Sequence, residues 1–304
     1  MDADMDTFVT ALYVKIDDEL TLDPSLRIAR PAVGIAPRLS DAELLTMAVL
    51  QALLGFTSET RFLRYAQKHL SSLFPYVPGQ SGYNKRLRKA FFLFIRAIRM
   101  LAMDTSLWSD DVWVVDSAPV ECGRPKETAR RSDAAGWAEY GYCASHSRYF
   151  WGLRLHLVCT LTGLPVLFAL AGAKADEREI LLGMLEAGRD VAADHPGQTL
   201  IGDKNYFGRR FEADLTEREL ALLRPARKGE ARRAGQNLFK PLRQVIESVN
   251  WTFKGQLDLE RHGGRTPEGI IARVLARILA LTAAVWHNDK TSQPVKRSLT
   301  AYDH

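Results

Sequence analysis

Two apolar runs in this chain lead into an aspartate. Val112-Trp113-Val114-Val115 leads into Asp116, and Leu200-Ile201-Gly202 into Asp203. A third acid, Glu247, lies in a helical pattern studded with basic residues. An unpaired carboxylate at the end of a buried or half-buried strand gives up hydration, so such acids call for a compensating partner. A divalent cation is one: Mg²⁺ takes hard oxygen ligands, is satisfied by one or two carboxylates, and keeps waters that a phosphate can replace. Two such ions, roughly 3.5 to 4 Å apart, activate an attacking oxygen and stabilise a leaving one. On spacing alone the alternative stands that Asp116 and Asp203 end strands at turns and Glu247 is solvated.

Lys240, Arg243, Glu247 and Lys254 are separated by three, four and seven residues, which places them on one face of a helix with 3.6 residues per turn. An acid framed by bases on one stripe suits a metal ligand whose neighbours grip phosphates. It also describes an ordinary salt-bridged surface face.

The chain resembles the DDE insertion-sequence transposases of bacteria. Asp116, Asp203 and Glu247 stand where that family has its acids. Arg243, Glu247 and Lys254 fit its closing signature of tyrosine, two residues, arginine, three residues, glutamate, six residues, lysine, with Lys240 in place of the tyrosine. Gly152 to Leu157, Thr162 to Val166 and Ala175 to Glu179 are similar to the segments between its two aspartates. Asp203-Lys204-Asn205-Tyr206, Glu260-Arg261-His262, Leu39 to Glu43 and Arg61 to Tyr65 extend the similarity over most of residues 36 to 290.

The resemblance implies a ribonuclease-H-like mixed sheet flanked by helices. It implies that Asp116, Asp203 and Glu247 are catalytic and bind two Mg²⁺ ions, with Mn²⁺ able to substitute. The partner would be double-stranded DNA, both element ends and target, cut at the ends and then joined, by a homodimer or larger assembly. Arg243 and Lys254 would hold phosphates, with Arg154 a weaker candidate. A nuclease that never joins strands, or a DNA-binding derivative without activity, are the alternatives.

Composition is compatible with this. Of 304 residues, 46% are hydrophobic and 25% charged, as in a soluble globular protein. The net charge of +5 and pI near 9.1 suit a polyanionic partner without requiring one. Three cysteines with no C-x-x-C pair indicate neither a disulfide scaffold nor a zinc module. The acidic N-terminus has no signal-peptide pattern, so a cytoplasmic protein at the nucleoid is expected. The segment Ile270 to Trp286 is interrupted by Arg273 and Arg277, and its uninterrupted apolar length falls short of the roughly 20 residues of a span. It reads as a buried helix opened by Thr266 and Pro267, with no membrane involved.

The elements that must carry the acids follow from periodicity. Residues 1–105 read as all-helical and as the DNA-end-binding region, 106–290 as the catalytic domain, and 291–304 as a polar tail. Ser40 and Glu43 form a capping box ahead of one helix. A second helix runs from Ser58 to about His69, and a third, unbroken, from Ser81 to Met103. On that third helix Lys85, Arg88, Lys89, Arg96 and Arg99 gather on one face, and Lys85, Arg88 and Lys89 are assigned to DNA, with a merely solvated basic face as the alternative. Strands are expected over Val112–Val115, Leu153–Thr160, Val166–Leu170, Leu200–Gly202 and Leu220–Leu223, with a helix over Ile180–Val191. His156 would alternate outward with Arg154 and could line the cleft, although a lone strand histidine is more often structural. Trp137 to Trp151 is rich in aromatic residues, suited to hairpin packing or to stacking on a base. The Arg-rich stretches 124–131 and 224–233 read as loops, the second ordered by DNA or simply solvated.

Overall fold

The structure, a computed structural model, describes residues 3–29, 36–123, 126–143, 147–233, 235, 239–295 and 299. In chain order the elements are α1 (Ala3–Leu22), α2 (Asp41–Leu53), α3 (Glu59–His69), α4 (Gln80–Lys89), α5 (Phe91–Met103), β1 (Val112–Gly123), α6 (Lys126–Arg131), β2 (Glu139–Cys143), β3 (Arg148–Thr160) and β4 (Pro165–Gly172). There follow α7 (Glu177–Ala187), α8 (Arg189–Ala193), β5 (Thr199–Ile201), α9 (Arg209–Glu217), β6 (Ala221–Leu223), α10 (Phe239–Trp251) and α11 (Pro267–Lys290). The chain divides into two compact units: Met1–Thr105 with Phe253–His304, and Ser106–Thr252. The sequence pattern places residues 253–290 with the catalytic segment; by packing they group with the helices.

In the helical unit α11 runs against α5, α2 and α4. Thr266 caps it by accepting a hydrogen bond from the Gly269 N–H at 3.2 Å, and Pro267 fills the first position, where no N–H is needed. The capping box of α2 forms on both sides: Ser40 Oγ accepts from the Glu43 N–H and Glu43 Oε2 from the Ser40 N–H. α11 is long and apolar enough to cross a membrane, yet 89% of its apolar window is buried. Each buried Leu or Ile there contributes about 1.5 to 3 kcal/mol, which suits a core helix. Arg277, buried within it, is satisfied by the carbonyls of Leu257 and Arg273.

The expected helix from Ser81 to Met103 is two helices. Ala90, fully buried, leaves the α conformation (φ −84°, ψ 14°) and ends α4 while starting α5. No glycine or proline announces this break. The break takes Arg96 away from the basic stripe, and it pairs with Glu19 of α1 at 2.8 Å.

The second unit is built on one mixed sheet in the order β2-β3-β1-β5-β6, with β4 on β3. β1, β3 and β4 are antiparallel neighbours, while β5 and β6 run parallel to β1. This is the ribonuclease-H-like arrangement. Strand alternation sorts the faces. Trp113, Val115, Val158 and Leu167 join Leu181, Met184 and Leu185 of α7 in one core, and α10 packs on β1 from the other face. β1 does not end at Asp116: it pairs with β3 as far as Gly123, so its backbone stays satisfied through Ala118 and Val120, both buried. The aromatic segment is the β2–β3 hairpin, with Phe150 and Trp151 buried and Tyr140, Tyr142 and Tyr149 exposed. The expected helix over 180–191 is broken at Gly188 into α7 and α8. Part of the first Arg-rich stretch is α6; Arg124 and Pro125 lie outside the described residues.

Candidate active site

The parallel register between β1 and β5 brings two of the three acids together. Val114 is level with Ile201, so Asp116, within β1, and Asp203, just past the end of β5, each two residues further on, stand at the same height. Adjacent strands lie about 4.8 Å apart, and the carboxyl ends of parallel strands are where open α/β sheets place ligands. Both aspartates line one cavity of about 590 Å³, with Lys204 beside them and Val114, Ile201, Phe239 and Ile246 as its apolar wall.

Each carboxylate is oriented from its own surroundings. Asp116 Oδ2 accepts a hydrogen bond from Asn250 Nδ2 of α10 at 2.8 Å. Asp203 accepts from the Asn205 N–H at 2.6 Å and from Asn205 Nδ2 at 3.0 Å, an Asx turn that leaves lone pairs on both oxygens. Burial pushes the Asp116 carboxyl up to about 6, and the charges of Glu177 and Asp203 push the same way, against hydrogen bonds from Ser117 and Asn250. The pair is thus short of positive charge, and its oxygen donors fit a hard cation such as Mg²⁺, for which one or two carboxylates suffice.

Glu247 is placed differently. Ile246 and Val249 are buried on the α10 face that carries Asn250, whereas Glu247, one residue round from Ile246, is exposed and does not line the cavity. Among the described residues no group of three or more His, Cys, Asp or Glu is placed to hold a metal. The side chains of Lys240 and Arg243 lie outside the described residues. α10 ends at Trp251 and Thr252–Gln256 winds as a π-helical turn, so the 3.6-residue phase from Glu247 to a half-buried Lys254 is not kept.

The remaining candidates fall into two groups. Lys85, Arg88 and Lys89 are exposed on α4. Arg154 points to the opposite face of the sheet from Asp116 and is engaged there: its Nη1 donates to Ser117 Oγ at 2.9 Å and its Nη2 to the Tyr142 carbonyl at 2.9 Å. Ser117 Oγ in turn donates to Glu177 Oε1 at 2.6 Å. His156 does not line the cleft. It is buried beside Ser117, neither ring nitrogen has a hydrogen-bond partner among the described residues, and burial with the nearby Arg154 charge pushes its pKa down to about 4. The second Arg-rich stretch is anchored rather than free: Arg224, 3% exposed, is clamped by Glu212 and Glu230, and Arg227 lies over the Phe207 ring at 3.6 Å.

Sequence reasoning missed Asn250, and it passed over Glu177 as part of a helix start. The one signal available for Asn250 was its position three residues after Glu247 on the apolar face of α10. A family model described as a transposase DDE domain matches residues 107–283. Neither a curated protein nor a solved structure matches the chain.

Proposed function

Since the chain belongs to the transposase DDE-domain family and is therefore a transposase-type enzyme acting on DNA, we propose that Asp116 and Asp203 hold Mg²⁺, with Mn²⁺ able to substitute, and that Glu247, which does not line their cavity here, is the third acid of the set. The observation that carries this is the level placement of Asp116 and Asp203 at one cavity. Two divalent ions bound there would supply the charge that activates an attacking oxygen and stabilises a leaving one.

The chain's own groups do the rest. Asn250 holds the Asp116 carboxylate through its Oδ2, and the Asx turn holds Asp203, so both present oxygens without reorganising. Lys204 contributes a cation beside them for a phosphate. In the first reaction water attacks a phosphodiester at the element end, the P–O3′ bond breaks, and the 3′ oxygen leaves as a hydroxyl. That hydroxyl then attacks a target phosphodiester and displaces a second 3′ oxygen, so strands are joined with no covalent enzyme intermediate. Arg243 and Lys254 are assigned to holding phosphates. Pairing two ends calls for a homodimer or a larger assembly.

The test is to incubate the purified chain with DNA from the borders of its own coding element and Mg²⁺. Cleaved and joined products are expected, and Asp203→Ala should give neither while still binding DNA. Cleavage without joining would leave a nuclease. Neither product from the wild type, despite binding, would leave a DNA-binding derivative.

A further inference from the structure

The helical unit has a cavity of its own, about 480 Å³, at which three helices begin. Its lining includes Ser58 and Glu59 of α3, Gln80 of α4, and Thr266 ahead of α11. Their N-terminal N–H groups and dipoles give the floor positive character. Glu59, 4% exposed, sits on that floor as a fixed anion: Gln80 Nε2 and Asn84 Nδ2 donate to it at 2.9 and 2.8 Å, and Arg273 Nη2 at 2.7 Å. Arg273 cancels its charge.

What is left is a surplus of two cations. Arg88 and Arg265 line the same cavity, are exposed, and make no hydrogen bond or ion pair among the described residues. Arg265 is held there by a tight loop. Gly263 has φ +70°, and a Cβ on Gly264 would come within 2.8 Å of Ile270, so the loop lies against the first turn of α11. Arg273 ties the loop down by donating to the His262 carbonyl at 2.9 Å. Two unpartnered guanidinium groups over a floor of helix N-termini form a receptor for planar-fork recognition of phosphate oxygens.

We propose that this cavity is a second DNA contact, seating backbone phosphates of bound duplex on Arg88 and Arg265 separately from the acid pair. This rests on DNA being the chain's substrate. The contact is to the phosphate backbone, which positions a duplex without reading its sequence.

The experiment measures the affinity of the full chain for a duplex of arbitrary sequence between 50 and 200 mM salt, without divalent metal. Arg88→Ala/Arg265→Ala should lower the slope of log affinity against log salt by about 1.8, at about 0.9 for each phosphate no longer neutralised. Over that range the wild type should then lose about tenfold more affinity than the variant. Arg88→Lys/Arg265→Lys should keep most of the slope, and Arg64→Ala/Lys68→Ala, the same charge loss on exposed positions of α3, should keep all of it. An unchanged slope in the first variant, or an equal drop in the α3 control, overturns the site while leaving the DNA reading intact. A wild type that binds no duplex at low salt overturns both. Titration with inorganic phosphate alone that saturates the cavity while the DNA slope stays unchanged assigns it to a free anion and overturns the DNA contact.

Discussion

Replacing Asp116 by Asn should make the metal-free protein more stable near neutral pH while destroying its activity. The Asp116 carboxyl rises from 3.8 to about 6 on folding. At 1.36 kcal/mol per pH unit, ionising it in the folded state costs about 3 kcal/mol. The sign follows from proton counting: between those values the folded state holds a proton that the unfolded state has released, so this group's contribution falls as pH rises from 3.8 through about 6. His156 does the reverse. Its pKa drops from 6.5 to about 4, so the unfolded state holds the extra proton and stability is lost as pH falls through the same range. The two slopes nearly cancel in the wild type. Asp116→Asn keeps an oxygen to accept from Asn250, removes the acid's slope and leaves that of the histidine. In urea melts read by circular dichroism, without divalent ions, the variant should match the wild type near pH 4 and exceed it by about 3 kcal/mol at pH 7, the difference opening as pH rises from 3.8 through about 6. Equal stabilities across this range would refute the placement of Asp116 as a carboxylate held short of positive charge.

Other outcomes follow from particular contacts. Glu247→Ala should leave stability within about 0.5 kcal/mol, as for an exposed residue, but abolish cleavage and joining; full activity would remove it from the acid set. Lys254→Ala should fold normally and bind end DNA or turn over about tenfold worse, roughly 1.4 kcal/mol, checked at limiting DNA concentration. Arg224→Ala should cost about 2 kcal/mol in a urea melt, since among the described residues Glu212 and Glu230 then keep only Arg233 as an ion-pair partner. Ser40→Ala should cost about 1 kcal/mol in the same measurement by opening the α2 capping box.

The positions of Asp116 and Asp203 were legible because both follow apolar strand patterns, and a parallel neighbour converts equal offsets into equal height. The start of α11 was legible for a similar reason: its cap and proline act locally. What was not legible depends on distant partners. Nothing near Arg224 in sequence announces that Glu212, on another element, will bury it, so the stretch reads as a solvated loop. His156 takes the structural role rather than the cleft because β3 has partners on both edges and α7 over that face, and alternation alone cannot tell a covered face from an open one. The aromatic segment was legible as hairpin packing but not the bounds of β2, whose central Gly141 is required because a Cβ there would come within 2.7 Å of Ala173. The break at Ala90 has no local breaker at all.

The division of the chain has a consequence for its synthesis. The first five helices leave the ribosome early, but α11, against which α2, α4 and α5 pack, is made only after the whole sheet unit. At about 5 to 20 residues per second, an interval of roughly 150 residues lasts about 8 to 30 s. Through that time the faces of α2, α4 and α5 that will meet α11 have no permanent cover. The nascent N-terminal helices are therefore the part of this chain on which a chaperone or a protease acts first, and slowing translation between codons 106 and 252 should lower the yield of folded protein more than slowing it after codon 290.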